Sequence, residues 1–254
     1  VNKNTLIFVV SYSGNTEETL AMYEEAKKRG STIITISSGG KLKKRALRER
    51  IPHIEVPSGI PPREAIGYQA LPMISILERS GVVRERGDLK GIPAILKKTP
   101  KTQAQQIADR LLNKIPIIYS SESMYCMSRV WKIKMNENAK IQSFSNVIPE
   151  MNHTEIEGFT NLLTDYFLIM LQDEEDHPQV KKRMEITKKV LQKKNIPVLL
   201  VKITGKNRLG RILSSLLLAS YVSYYLVLSY KTDTFPYPTI EEFKKQLAKE
   251  SRLF

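Results

Sequence analysis

Leu6-Ile7-Phe8-Val9-Val10-Ser11-Tyr12-Ser13-Gly14-Asn15-Thr16-Glu17-Glu18-Thr19 decides the fold. Five apolar residues run without interruption, then a turn of small hydroxyl residues, then an acidic start to a helical pattern that runs Glu17–Arg29 and stops at Gly30. An uninterrupted apolar strand is buried on both faces, and a helix directly after it marks a parallel sheet with crossover helices. The pattern repeats outward. Strands are expected at Thr32–Ile36 and Ile54–Val56, with the Ser37-Ser38-Gly39-Gly40 turn and a basic helix between them. A rigid loop, Pro57–Pro62, leads into a helix over Arg63–Ser80, with Pro72 expected to kink it or mark its first turn.

The stretch from Gly81 to Lys101 is polar and reads as a connection between two units. A second series follows: a helix over Thr102–Asn113, strands at Pro116–Tyr119, Tyr166–Leu171 and Val198–Ile203, and a short strand near Ile141–Phe144. Its helices are Met124–Asn136, His153–Leu163, Pro178–Lys194 and Asn207–Leu228, with a last helix at Thr239–Ser251. The domain expectation is 1–90, a linker at 91–101, 102–238, and a C-terminal helix at 239–254. The first series has three strands and starts in mid-pattern.

The chain has 254 residues, 41% hydrophobic and 26% charged, which is globular composition. One cysteine, Cys126, excludes a disulfide framework, and with three histidines a metal site is not expected. A reducing, cytoplasmic compartment is the simplest reading, and no signal-peptide pattern follows Val1. The net charge of +14 attracts polyanions and phosphorylated small molecules alike. Its spread over three apparent helices, Lys41–Arg50, Lys181–Lys194 and Lys244–Arg252, reads as solvated faces, so no nucleic-acid partner is expected. Residues 212–230 carry no charge over a span-like length, yet hold five Ser and four Tyr. A buried helix with hydroxyls on one side fits them better than a membrane span.

The turn Ser11–Thr16 places hydroxyls and free N–H groups at a helix N-terminus, the chemistry that holds a phosphate monoester. It lacks the Gly-Lys-Ser/Thr of nucleotide loops. On spacing alone it reads equally well as a helix cap on Asn15 or Thr16. Asn136-Glu137-Asn138 sets a carboxylate between two amides, either a positioned base or helix-end decoration. Ser120–Ser123 holds the corresponding place in the second series and reads as a cap.

Four pieces in order, SYSGNTEET from Ser11, PSGIPPREAIGY from Pro57, MNENAK from Met135 and PEMNHTEIEG from Pro149, resemble the bifunctional phosphoglucose/phosphomannose isomerases of archaeal type. The resemblance implies two sugar-isomerase (SIS) domains, each a doubly wound parallel sheet in three αβα layers. The first is read as truncated, because the family's Gly-Gly-Ser loop does not precede Val1. It implies an aldose–ketose isomerase of hexose 6-phosphates working through a cis-enediol, with no cofactor, as a homodimer. By resemblance Glu137 is the base, His153 opens the sugar ring from across the dimer interface, and Arg63 stabilises the enediolate. Ser11, Ser13 and Thr16 hold the phosphate, and the Ser37–Gly40 turn lies beside them. Tyr237 falls where the family has a threonine that contacts the sugar, so use of both glucose and mannose epimers does not carry over on that residue. A non-catalytic phosphosugar-binding protein on the same fold is the alternative.

Overall fold

A computed structural model describes residues 1–83 and 91–250. The chain forms two compact units, Val1–Arg86 and Gly87–Phe254. Both are α/β, and every strand pair in them is parallel.

In the first unit β1 (Leu6–Val10), β2 (Thr32–Ser37) and β3 (His53–Glu55) form a three-stranded sheet in that order. The register pairs Val10 with Ile36 and Ile36 with Ile54, so the strands end close to one level. Helices α1 (Glu17–Lys28) and α2 (Gly40–Arg48) are the crossovers. Apolar residues on the strands, α1 and α2 make the core: Val9, Leu20, Tyr23, Ala26, Ile33 and Leu42. The 14-residue α3 (Ile66–Arg79) begins three residues later than its pattern predicts and keeps Pro72 inside it. The backbone over 61–65 is spent instead on a tight turn, in which Pro61 O accepts from the N–H groups of Glu64 and Ala65.

The second unit begins with α4 (Ile92–Lys97), a short helix inside the stretch read as linker, and α5 (Lys101–Leu111). Its sheet has the order β5-β4-β6-β7, with β4 (Ile115–Ser121), β5 (Phe144–Ile148), β6 (Tyr166–Asp173) and β7 (Val198–Ile203). The chain steps from β4 outward to β5 and then back to β6 on the other side. The carboxyl ends beside β4 are therefore a switch point, where such sheets open a crevice. Helices α6 (Tyr125–Glu137), α8 (Pro178–Lys193) and α9 (Arg208–Tyr230) cover the sheet. One core joins Trp131, Met135, Phe167 and Ile169 to Leu218, Ala219, Val222 and Leu226 of α9, and a second gathers Tyr119, Leu168, Met170 and Met184.

Helix α9 is long and apolar enough to cross a membrane by length and composition. Its hydroxyls are used inside the unit. Trp131 Nε1 donates to Ser215 Oγ at 3.0 Å, and Asn138 Nδ2 donates to Ser223 Oγ at 2.9 Å. Arg211, 1% exposed, pairs with the buried Asp173 at 3.0 Å and also with Glu174 and Glu175. The last helix is α10 (Pro238–Glu250).

Two expectations need correction. The short strand expected at Ile141–Phe144 lies at Phe144–Ile148. Ile141 O accepts from the Asn136 side chain and Ser143 Oγ donates to Pro116 O, so 141–143 is an anchored connection rather than a ladder. The helix expected at His153–Leu163 is only α7 (Glu155–Gly158). Phe159 turns into the core, edge-on to Tyr166, and Thr160 Oγ1 closes on Glu157 O, which ends the helix after one turn.

Candidate active site

The loop after β1 is built on two glycines. Gly14 has φ +68, and a Cβ there would stand 2.0 Å from Gly39 O. Gly40 has φ +71, and a Cβ there would meet Ser13 O at 2.3 Å. Residues 11–16 and 37–41 therefore lie backbone against backbone, which only glycine allows. Leu42 N donates to Gly14 O, Ser38 N and Oγ both donate to Tyr12 O, and Lys41 N donates to Asn15 Oδ1. The Ser37–Gly40 turn is thus part of the same construction.

Within it, Ser11 is buried and Ser13 and Thr16 are exposed. Ser11 Oγ and Thr16 Oγ1 share a hydrogen bond of 2.9 Å, Gly14 N donates to Ser11 Oγ, and Asn15 N donates to Ser13 Oγ. Thr16 is the N-cap residue of α1, but its side chain does not cap the helix. The hydroxyl turns back to Ser11, so the side-chain cap is absent and the helix N-terminus opens beside three hydroxyls. A cavity of about 630 Å³ in this unit contains none of the three. It is an apolar groove along β1 and α1, lined by Ile7, Val9 and Met22.

Tyr12, which sequence reasoning passed over, ties the loop to the next one. Its hydroxyl donates to Pro57 O at 2.9 Å and accepts from Ile60 N at 2.8 Å. Pro57–Pro62 is thereby fixed against the hydroxyl loop, and it delivers Arg63. That arginine is 6% exposed, not in solvent as a first-turn helix residue would be.

In the second unit Glu137 is the last residue of α6 and is half-buried. The flanking amides clamp the helix end: Asn136 Nδ2 donates to Ile141 O, and the buried Asn138 donates to Ser223. Three residues on, Lys140 has φ 58 and reaches across to the segment before α10. Its ammonium donates to Thr234 O and Pro236 O and lies 4.2 Å from the centre of the Tyr237 ring. Tyr237 and the end of α6 are held together by this lysine, a second residue whose role sequence spacing does not announce.

His153 lies elsewhere in the unit. It follows β5 through the turn Glu150–Asn152 and is exposed. Helix α6 starts just past the carboxyl end of β4, and its 13 residues run about 20 Å back along the sheet. Glu137 thus ends near the amino end of β4 and β5, where Phe144 pairs with Ile117. His153 follows the carboxyl end of β5, level with Ser121. The two residues stand at opposite ends of the sheet.

Ser120–Ser123 does not cap the following helix. Ser120 Oγ lies within hydrogen-bond distance of Ser121 O and Ser128 Oγ, and Ser123 Oγ reaches Asp176, so these hydroxyls are engaged inside the unit.

Comparison with known proteins gives the family. Residues 100–247 match the model of the bacterial phospho-glucose isomerase C-terminal SIS domain. A bifunctional phosphoglucose/phosphomannose isomerase of Aquifex aeolicus is 36% identical over 99% of this chain and 78% of its own length. A D-glucosamine-6-phosphate 4-epimerase of Sulfolobus acidocaldarius is 35% identical over 66% of this chain and 55% of its own. Among solved structures, a hypothetical protein of Thermus thermophilus superposes with a TM-score of 0.79 at 15% identity, over 98% of this chain and 72% of that one, which shows a shared fold. With that family model over more than half the chain and that Aquifex relative over nearly all of it, the chain belongs to the bifunctional phosphoglucose/phosphomannose isomerase family of SIS-domain proteins.

Proposed function

We infer that this protein is an aldose–ketose isomerase that interconverts glucose 6-phosphate and fructose 6-phosphate through a cis-enediol. The observation that carries the reading is the hydroxyl loop. Three hydroxyls and an uncapped helix N-terminus, packed by two glycines, form a receptor for a phosphate monoester. Phosphate held away from the reacting carbons fixes the register of the sugar and lends binding energy to the chemistry.

The steps follow from the residues. His153 exchanges a proton with the ring oxygen and the anomeric hydroxyl, which opens the pyranose to the aldehyde. The C2 hydrogen is then acidified by the adjacent carbonyl. Glu137 takes that proton, the electron pair moves to give the enediolate on O1, the hydroxyl proton passes from O2 to O1, and the same carboxyl returns its proton to C1 while O2 becomes the ketone. Arg63 carries the fixed positive charge for the enediolate oxygen. Ser11, Ser13 and Thr16 hold the phosphate, and Tyr237 contacts the sugar. A carboxylate and a fixed cation suffice for proton transfer beside a carbonyl, so the reading needs no cofactor. The separation of Glu137 from His153 supports a homodimer in which each His153 serves the site of its partner.

The kinship with a 4-epimerase favours a second reading, in which a phosphosugar of the same class reacts at C4. One experiment separates them. The enzyme is incubated with fructose 6-phosphate in heavy water, and the deuterium is located by NMR. Label at C1 of the ketose and C2 of the aldose supports isomerisation. Label at C4 alone supports epimerisation through a proton-transfer step and refutes the isomerase reading.

A further inference from the structure

Tyr119 of β4 and Asn146 of β5 are register partners, so their side chains leave the same face of the sheet. Both end on one carboxylate. Tyr119 Oη donates to Glu155 Oε2 at 2.6 Å, and Asn146 Nδ2 donates to Glu155 Oε1. The Asn146 amide is oriented for this by its own oxygen, which accepts from Val147 N at 2.8 Å. Tyr119 is fully buried, and burial together with the Glu155 carboxylate raises its hydroxyl well above the usual tyrosine range. It therefore remains a donor at any working pH.

Glu155 is two residues past His153. On the other side Asn152 Nδ2 donates to Thr187 Oγ1 of α8 at 2.7 Å, and Met151 is buried. The chain is thus pinned on both sides of an exposed imidazole, and the stronger pin is a carboxylate with a donor on each oxygen. Glu155 thereby ties the segment that carries His153 to β4 and β5.

We propose that Glu155, held by Tyr119 and Asn146, is the positioning residue for His153. It fixes where the imidazole stands, and so controls ring opening without touching the sugar. The inference rests on the proposed role of His153. A displacement of about 1 Å in a reacting group costs up to about a hundredfold in rate. Releasing the anchor should therefore slow ring opening about ten- to hundredfold and leave proton transfer at C2 intact.

The test compares Glu155→Gln, Tyr119→Phe and His153→Gln in the full chain. Glu155→Gln keeps the shape but sets an amide N–H against one of the two donors. Tyr119→Phe keeps the buried ring and removes one donor, so it covers the case in which the first variant fails to fold. Ring opening is read as anomer exchange of glucose 6-phosphate by NMR. Proton transfer is read as the isotope effect on kcat/KM with glucose 6-phosphate deuterated at C2. In all three variants anomer exchange should fall. The isotope effect should fall toward one, because ring opening then limits the rate. Adding Glu155→Gln to His153→Gln should cost nothing more. Glu155→Gln or Tyr119→Phe with unchanged anomer exchange, or with a lower kcat/KM and an unchanged isotope effect, overturns the positioning role while leaving His153 in place. Normal anomer exchange in His153→Gln overturns the role of His153, and the inference falls with it.

Discussion

Replacing Gly14 by alanine strikes the joint between the two loops proposed to hold the substrate phosphate. The new Cβ would lie 2.0 Å from Gly39 O and 2.9 Å from Gly39 C. A comfortable carbon–oxygen contact is roughly 3.3 Å, so one backbone must retreat by more than about 1 Å. Neither is free to move. Gly39 O accepts from Ser37 Oγ, Gly14 O accepts from Leu42 N, and Leu42 is fully buried. Alanine at φ +68 adds its own cost of about 1–2 kcal/mol. The loss of one or two of the cross-loop hydrogen bonds adds about 1 kcal/mol each. The local cost is then about 3 kcal/mol.

Gly59 is the internal control. It also has positive φ, +81, but nothing lies within 4 Å of a Cβ built there. Its alanine variant should cost only the conformational part, about 1–2 kcal/mol. The assay is hydrogen exchange followed by mass spectrometry over peptides that contain Ser38 and Leu42. With Gly14→Ala their exchange should quicken about a hundredfold, the equivalent of about 3 kcal/mol in a local opening. With Gly59→Ala it should be unchanged over these peptides, and kcat/KM for sugar phosphates should fall with Gly14→Ala. Equal exchange in both variants, or native exchange with Gly14→Ala, would refute the claim that close backbone approach builds this site.

Other consequences follow from named contacts. Thr16→Val removes the hydroxyl bonded to Ser11, one of the three proposed phosphate donors, and should lower kcat/KM about ten- to hundredfold. Arg211→Met leaves Asp173 buried without its cation and should destabilise the second unit by about 3–5 kcal/mol. That loss is readable in urea through Trp131, the single tryptophan, which lies in that unit's core. The Glu49 carboxyl is held at about 2 by Lys27 first, then Tyr23 and Arg48. A lowered carboxyl pKa gives stability that is present above the unfolded value near 4.5 and fades as pH falls toward 2. Glu49→Gln should therefore lower stability at neutral pH, flatten the acid limb of a stability–pH curve in that window, and differ least from the native chain near pH 2. Mixing Glu137→Gln with His153→Gln should restore roughly a quarter of wild-type activity. Random exchange of subunits makes half the dimers mixed, and each has one site with neither lesion. Recovery of nothing would show that both residues serve one subunit.

The α/β alternation was legible because short apolar runs and amphipathic helices leave a local signature. β1 and β7 fall where their patterns place them, and α1 ends within a residue of its expected stop. Sequence went wrong where the tertiary structure takes a backbone or side-chain group away from its local partner. Ser123 points to Asp176, 53 residues on, instead of capping its helix. Thr16 turns to Ser11 for the same reason. Phe159 breaks a helical run because the core takes its ring.

The site divides in the same way. The hydroxyl loop and the Asn-Glu-Asn helix end are visible among adjacent residues, but their proposed roles rest on the family resemblance. The groups that hold them are not visible in this way. Tyr12 reaches Pro57, Lys140 reaches Pro236, and Tyr119 reaches Glu155, 36 residues away. Such pairs have no spacing rule, since the fold alone brings them together.

Glu137 is proposed to move a proton between adjacent carbons of a hexose 6-phosphate. The most direct measurement supplies fructose 6-phosphate to the purified protein and detects glucose 6-phosphate through a coupled dehydrogenase, beside a Glu137→Gln variant that keeps the shape and removes the base. Turnover is expected in the native chain, with a loss of about 10³ or more in the variant. Equal turnover in both, or sugar-phosphate binding with turnover in neither, would contradict that role.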